Sequence, residues 1–113
     1  MHIEDLRMAL VSGVPVEYKA HCLKRMLERG ISRKDIENCI LNGEIIENYP
    51  LDETNNSKDS FPSCLILGVT TNDGEKLHVV VGYNQSMIIV ITAYYPDIEH
   101  WEDDFKTRRN RYV

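Results

Sequence analysis

The sequence predicts an α+β domain: N-terminal helices packed on a four-stranded antiparallel β-sheet, with a short C-terminal helix. Three observations carry this reading. Up to Gly43, apolar residues recur at helical spacing; beyond it, β-branched runs are bounded by turn residues. The connections between the last strands are too short for parallel crossovers, so neighbours must run antiparallel. A chain of 113 residues with 42% hydrophobic and 27% charged residues buries one core, so residues 1–113 form a single domain and wholesale disorder is excluded.

Each element has a local cause. Ile3, Leu6, Leu10 and Val11 give a first helix over residues 3–11, stopped by Ser12-Gly13 and Pro15. Val14 to Tyr18 reads as extended. Over residues 20–29, Cys22, Leu23, Met26 and Leu27 fall on one arc, and His21, Lys24, Arg25, Glu28 and Arg29 on the opposite one. Gly30 stands where a left-handed helix cap belongs. Ser32, with Asp35 three residues on, opens a helix over 33–42 that buries Ile36, Cys39 and Ile40. Four strands follow: Glu44 to Tyr49, Cys64 to Thr71, Leu77 to Tyr83 and Met87 to Tyr95. Between the first two lies a polar segment, Leu51 to Ser60, read as a flexible loop. Asn72-Asp73-Gly74 and Asn84-Gln85-Ser86 supply tight turns. After Pro96-Asp97 a polar tail holding Trp101 and Phe105 reads as the C-terminal helix.

Composition narrows the function. No apolar run approaches the roughly 18 residues needed to span a bilayer, and the acidic start lacks a signal-peptide pattern, so a cytoplasmic protein is expected. Cys22, Cys39 and Cys64 are odd in number and widely spaced, which suits reduced, packed thiols. Phosphate-loop, nucleophile-elbow and calcium-loop patterns are missing, and His2, His21, His78 and His100 lack metal-ligand spacing. Metal and nucleotide cofactors are therefore not expected.

The net charge of -5 argues against an all-over nucleic-acid binder, but the charges are segregated. Lys19 to Lys34 holds six bases against Glu28 alone, and Lys106, Arg108, Arg109 and Arg111 cluster near the end. His21, Arg25 and Arg29, four residues apart, form a row drifting only about 40° per step. Arginine forks grip phosphate bidentately and histidine exchanges protons near neutral pH, so the row could clamp a phosphodiester and assist its cleavage. On spacing alone, a solvated helix face accounts for the row more simply. His78, among apolar neighbours, is either a hydrogen-bonded core residue or a site residue. If Asn84-Gln85 or Gln85-Ser86 is a two-residue turn, Tyr83, Thr92 and Tyr94 share one sheet face, and His78 and Tyr95 the other; a bulge in that turn would reverse this.

Four motifs together carry a resemblance: His21-x-x-x-Arg25-x-x-x-Arg29-Gly30-Ile31-Ser32, Asn42-Gly43-Glu44-Ile45-Ile46-Glu47, Leu77-His78-Val79-Val80-Val81 and Ile91-Thr92-Ala93-Tyr94. From about Val16 to Trp101 the chain resembles a prokaryotic family, domain of unknown function 4258. In layout it is also similar to the RelE and barnase-like endoribonuclease toxins. The resemblance implies a toxin-like, metal-independent endoribonuclease that cleaves RNA to a 2′,3′-cyclic phosphate and is paired with a small zinc-finger antitoxin. In that reading the row His21, Arg25 and Arg29 faces the sheet near His78, Thr92 and Tyr94. His21 or His78 is the general base, the two arginines hold the phosphate, and a tyrosine or the other histidine is the acid. Lys24, Tyr83 and Tyr95 then help to bind the substrate. The toxins of that layout are usually basic and this chain is acidic, so the alternative is a non-catalytic anion- or protein-binding module.

Overall fold

Three helices form where periodicity and capping place them. In the computed structural model, which describes residues 1–50 and 61–109, α1 spans Ile3–Val11, α2 Ala20–Arg29 and α3 Arg33–Asn42. Gly30 closes α2 at φ 68°, a conformation that penalises any side chain. Ser32 opens α3 through the expected reciprocal cap. Its hydroxyl accepts from the Asp35 N–H at 3.1 Å, and the Asp35 carboxylate accepts from the Ser32 N–H at 2.8 Å. At the other end of α3, Arg7 of α1 donates to the Ile40 and Gly43 carbonyls at 2.9 and 2.7 Å, placing a cation on the negative helix terminus.

The sheet differs from expectation by one strand. The strands β2 (Glu44–Tyr49), β3 (Ser63–Val69), β4 (Lys76–Tyr83) and β5 (Ile88–Tyr94) form the antiparallel run. A fifth, β1 (Val16–Tyr18), adds to the β5 edge in parallel, with Val16 opposite Ile88 and Tyr18 opposite Val90. The sheet is therefore mixed and five-stranded, in the order β1-β5-β4-β3-β2. A three-residue strand whose partner lies some seventy positions away has no local signature, which is why the segment reads only as extended. The polar stretch 51–60 lies outside the described residues.

Alternation divides the sheet into two faces. Cys64, Ile66, Leu77, Val79, Val81, Val90 and Ala93 pack under the helices against Leu6, Cys22, Met26, Ile36, Cys39 and Ile40. The three cysteines are free and buried, and burial pushes the Cys39 thiol up to about 12. Cross-strand register puts Glu44, Glu47, Tyr49, Leu65, Leu67, His78, Val80, Thr92 and Tyr94 on the second face.

The tail covers that second face without forming the expected helix. The Asp97 carboxylate accepts from the Glu99 and His100 N–H groups, and that of Asp104 from Lys106 and Thr107. Such local bonds offer the backbone an alternative to the helical ladder and fold the segment into successive turns. Phe105 takes a left-handed φ of 58°, and Trp101 bridges to Arg108. Trp101 is buried against the sheet. Among the described residues, no helix is long and apolar enough to cross a membrane.

Candidate functional site

Helix α2 is rotated from the orientation its apolar arc predicts. Cys22 and Met26 point into the core, whereas Leu23 is 38% and Leu27 85% exposed. At 100° per residue this is a turn of roughly 60°. The same rotation brings Arg29 against the sheet, where it donates to the Ala93 carbonyl at 2.7 Å, while Tyr95 donates its hydroxyl to the Arg29 carbonyl. Arg25 pairs with Glu28 at 3.2 Å. His21 and Lys24 are exposed. Arg29 is thus a fastener between helix and strand, and of the expected row His21 and Arg25 keep to the exposed arc, the latter paired with Glu28.

The strand carrying Thr92 and Tyr94 is inverted relative to the two-residue-turn reading. The turn itself sits where one of the two alternatives places it: the Asn84 carbonyl side chain accepts from Ser86 and Met87, and Tyr83 stands opposite Ile88. Further along, a bulge between Val80 and Val81 leaves Ile91 unpaired and shifts the register, so that His78 faces Tyr94 and Val80 faces Thr92. His78, Thr92 and Tyr94 therefore share the second face, while Tyr83 and Tyr95 pack toward the helices. His21, Lys24, Arg25 and Arg29 lie on the helix side. The sheet stands between the two groups, and the composite site does not assemble.

His78 is completely buried, and both ring nitrogens are satisfied. Nε2 lies 2.8 Å from the Phe105 carbonyl, which can only accept, so Nε2 carries the proton. Nδ1 is then the acceptor for the Tyr94 hydroxyl at 3.2 Å. Trp101 meets the imidazole edge-on with centroids 4.5 Å apart. Burial drives the His78 pKa below its ordinary value, against the opposing pull of the Phe105 carbonyl and Glu47. The ring is neutral and holds the tail to the sheet.

Beside it lies a group of side chains with more open chemistry. Arg108, from the tail, stacks over Trp101 at 4.7 Å and forks onto Glu47 of β2 at 2.7 and 2.9 Å. Tyr49, two residues along the same strand, donates its hydroxyl to Glu47. The Arg108 hydrogen bonds hold the Glu47 carboxyl below its usual range. Burial and the neighbouring carboxylate push Tyr49 up to about 12. Lys106 pairs with Glu44 at 2.5 Å, and a cleft of about 440 Å³ lined by Glu44, Leu67, Lys76 and Lys106, among others, opens next to them. At neutral pH the cluster offers a carboxylate, a guanidinium and a protonated phenol in contact, partly open to solvent. The sequence marks Arg108 in the terminal basic cluster, Glu47 in a motif and Trp101 in the tail, but singles out none of them, nor Tyr49, as a site residue. The one available signal was period two along Glu47 and Tyr49; nothing local links either to a residue sixty positions away.

No group of three His, Cys, Asp or Glu among the described residues could hold a metal ion. One family model matches residues 18–95, more than half of the chain; its description is Domain of unknown function (DUF4258). Comparison with curated proteins and with solved structures gives no match.

Proposed function

The chain belongs to the DUF4258 family, a domain of unknown function, and on that premise we propose that it is a metal-independent endoribonuclease whose reaction runs on the second sheet face. The observation that carries the reading is the contact between Glu47, Arg108 and Tyr49: base, phosphate clamp and acid in one cluster. Arg108, whose side chain is 61% exposed, shifts its fork from Glu47 to the scissile phosphate. Glu47, released, takes the proton of the ribose 2′-hydroxyl. The 2′-oxygen bonds to phosphorus and the bond to the 5′-oxygen breaks, while Arg108 stabilises charge on the phosphoryl oxygens. Tyr49 protonates the departing 5′-oxygen and recovers its proton from Glu47 through their hydrogen bond, so the enzyme is regenerated. The products are a 2′,3′-cyclic phosphate and a 5′-hydroxyl. Lys76 and Lys106, beside the cleft, meet the flanking phosphates. His78 and Tyr94 are positioning residues, because they hold the tail that carries Arg108.

Incubation of the purified chain with RNA in the presence of a chelator tests this. Cyclic-phosphate ends should appear, and Glu47→Gln and Arg108→Ala should each slow their formation on the order of 10²- to 10³-fold. Cleavage that is lost in His21→Ala and kept in Glu47→Gln would return the chemistry to α2 and overturn the assignment. In a bacterium, induction should slow growth, and a small zinc-finger antitoxin would be the partner that relieves it. A second reading has its own support: Arg108–Glu47 and Lys106–Glu44 both tie the tail to β2. If that is their whole role, the chain is a non-catalytic binding module. The same variants would then lower stability while RNA stays intact with wild type.

A further inference from the structure

The cleft of about 440 Å³ opens where the end of α3 meets β2, and its rim includes Glu44, on the same sheet face as Glu47. Asn38, Asn42, Leu67, Lys76 and Lys106 also line it. Its walls are held in place. The Asn38 amide donates to the Val69 carbonyl at 2.9 Å, and the Asn42 amide donates to the Asn38 side-chain oxygen at 2.7 Å. Gly43 lets α3 and β2 meet closely, because a Cβ there would collide with the Cys39 and Leu67 carbonyl oxygens. Asn42 and Glu44 therefore stand on adjoining walls. Lys106 pairs with one Glu44 oxygen at 2.5 Å, and both side chains stay about half exposed.

An ammonium beside a carboxylate presents one donor and two acceptors in a row. Among the RNA bases, guanine carries the complement on one edge: the O6 acceptor next to the N1–H and N2–H donors. A carboxylate accepting two parallel N–H groups makes a charge-assisted fork, the same geometry in which it accepts a guanidinium. Adenine, cytosine and uracil offer it no such pair of adjacent donor atoms. Lys106 has three N–H groups, one for Glu44, one for O6 and one for a phosphate. Leu67 and the methylene stem of Lys76 give the flat face of a base an apolar lining. Glu44 and Glu47 pair with Leu67 and Leu65, so cleft and reacting cluster lie about 7 Å apart along β2. We propose that this cleft is a guanine-binding subsite, in which Glu44 and Lys106 read the base of a nucleotide next to the cleaved bond. The subsite rests on the ribonuclease reading and gives it a sequence preference.

Titrating the full chain with guanosine, inosine, adenosine and uridine 5′-monophosphates, followed by amide NMR, reads the subsite without any cleavage. Guanosine monophosphate should bind tightest and shift the amides of Gly43, Glu44 and Lys106. Inosine monophosphate, which lacks the N2 amino group, should bind about tenfold more weakly, as should the adenosine and uridine compounds. Glu44→Gln should level guanosine against inosine, while circular dichroism shows an intact fold because the side chain is exposed. With RNA as substrate, wild type should cut beside guanosine, and Glu44→Gln should lose that preference. No binding at millimolar concentration, equal binding of all four nucleotides, or a guanosine preference that survives Glu44→Gln would each overturn the subsite. So would inorganic phosphate competing as well as guanosine monophosphate, since the cleft would then read only the anion. Guanosine-selective binding with RNA left intact would keep the subsite and remove the Glu47–Arg108 reaction. Cleavage with no base preference would do the reverse.

Discussion

His78 shows how one buried side chain links pH to the whole fold. Its Nε2–H is committed to the Phe105 carbonyl and its Nδ1 to the Tyr94 hydroxyl, so the folded protein prefers the neutral ring. Burial lowers its pKa, whereas the unfolded chain keeps the ordinary value of 6.5. Between those two values the unfolded state binds the extra proton. The stabilisation is therefore full above about pH 6.5 and is lost as pH falls toward the folded pKa, with a slope of up to about 1.4 kcal/mol per pH unit. Urea denaturation at pH 7.5, 6.5 and 5.5 should show wild type losing stability over this range, and His78→Gln, which can still donate to Phe105, losing clearly less. Equal slopes for the two proteins would assign the acid sensitivity elsewhere. Asp35 acts in a separate, lower window. Burial alone would raise its carboxyl, but hydrogen bonds from Ser32 and Thr71 bring it below its ordinary value of 3.8. That contribution persists down to about pH 4 and then disappears, so the two groups can be distinguished by pH alone.

At the scale of elements, legibility tracks how local the cause is. The three helices are readable because periodicity, Gly30 and the Ser32–Asp35 cap all lie within a few residues of what they control. The antiparallel strands are readable because short turns leave no other choice. Strand β1, the rotation of α2 and the site cluster are set by partners far along the chain, and a window of ten residues carries no trace of them. The bulge at Ile91 is the most consequential of these, since one unpaired residue moves Thr92 and Tyr94 to the face of His78. Deleting Ile91 should test that directly. Without it Val90 and Thr92 are consecutive, so plain alternation keeps Thr92 opposite Val80 and Tyr94 opposite His78 with no bulge, and the variant should still melt cooperatively. Inserting an alanine between Thr92 and Ala93 instead turns Tyr94 toward the core and Ala93 away from it. The insertion should cost more than about 4 kcal/mol or abolish the cooperative melt, a range reserved for gross disruption. If the deletion is as damaging as the insertion, the unpaired residue is not what sets the faces.

The whole molecule is a sheet with two unlike covers: three helices on one side, and on the other a tail without regular secondary structure. A face carrying Leu65, Leu67 and Ile89, all buried, needs a cover, and the tail supplies it mainly through one large side chain, Trp101. Trp101 touches His78 edge-on and carries Arg108 on its other surface, so tail, histidine and the proposed site form one mechanical unit. Removing the indole should therefore act in three places together. Trp101→Ala is expected to lower stability by about 3–5 kcal/mol, as for a large aromatic removed from a packed site. It should flatten the pH dependence assigned to His78, because water then reaches the ring. It should also speed tryptic cleavage after Lys106 and Arg108 under native conditions, since the tail would leave the sheet more often than the domain unfolds. Limited proteolysis followed by mass spectrometry separates this from global destabilisation: the sites within helices α2 and α3, protected by their hydrogen-bonded backbone, should stay uncut while the tail is cut. Uniform acceleration at all sites would mean that the tail opens only when the whole domain does.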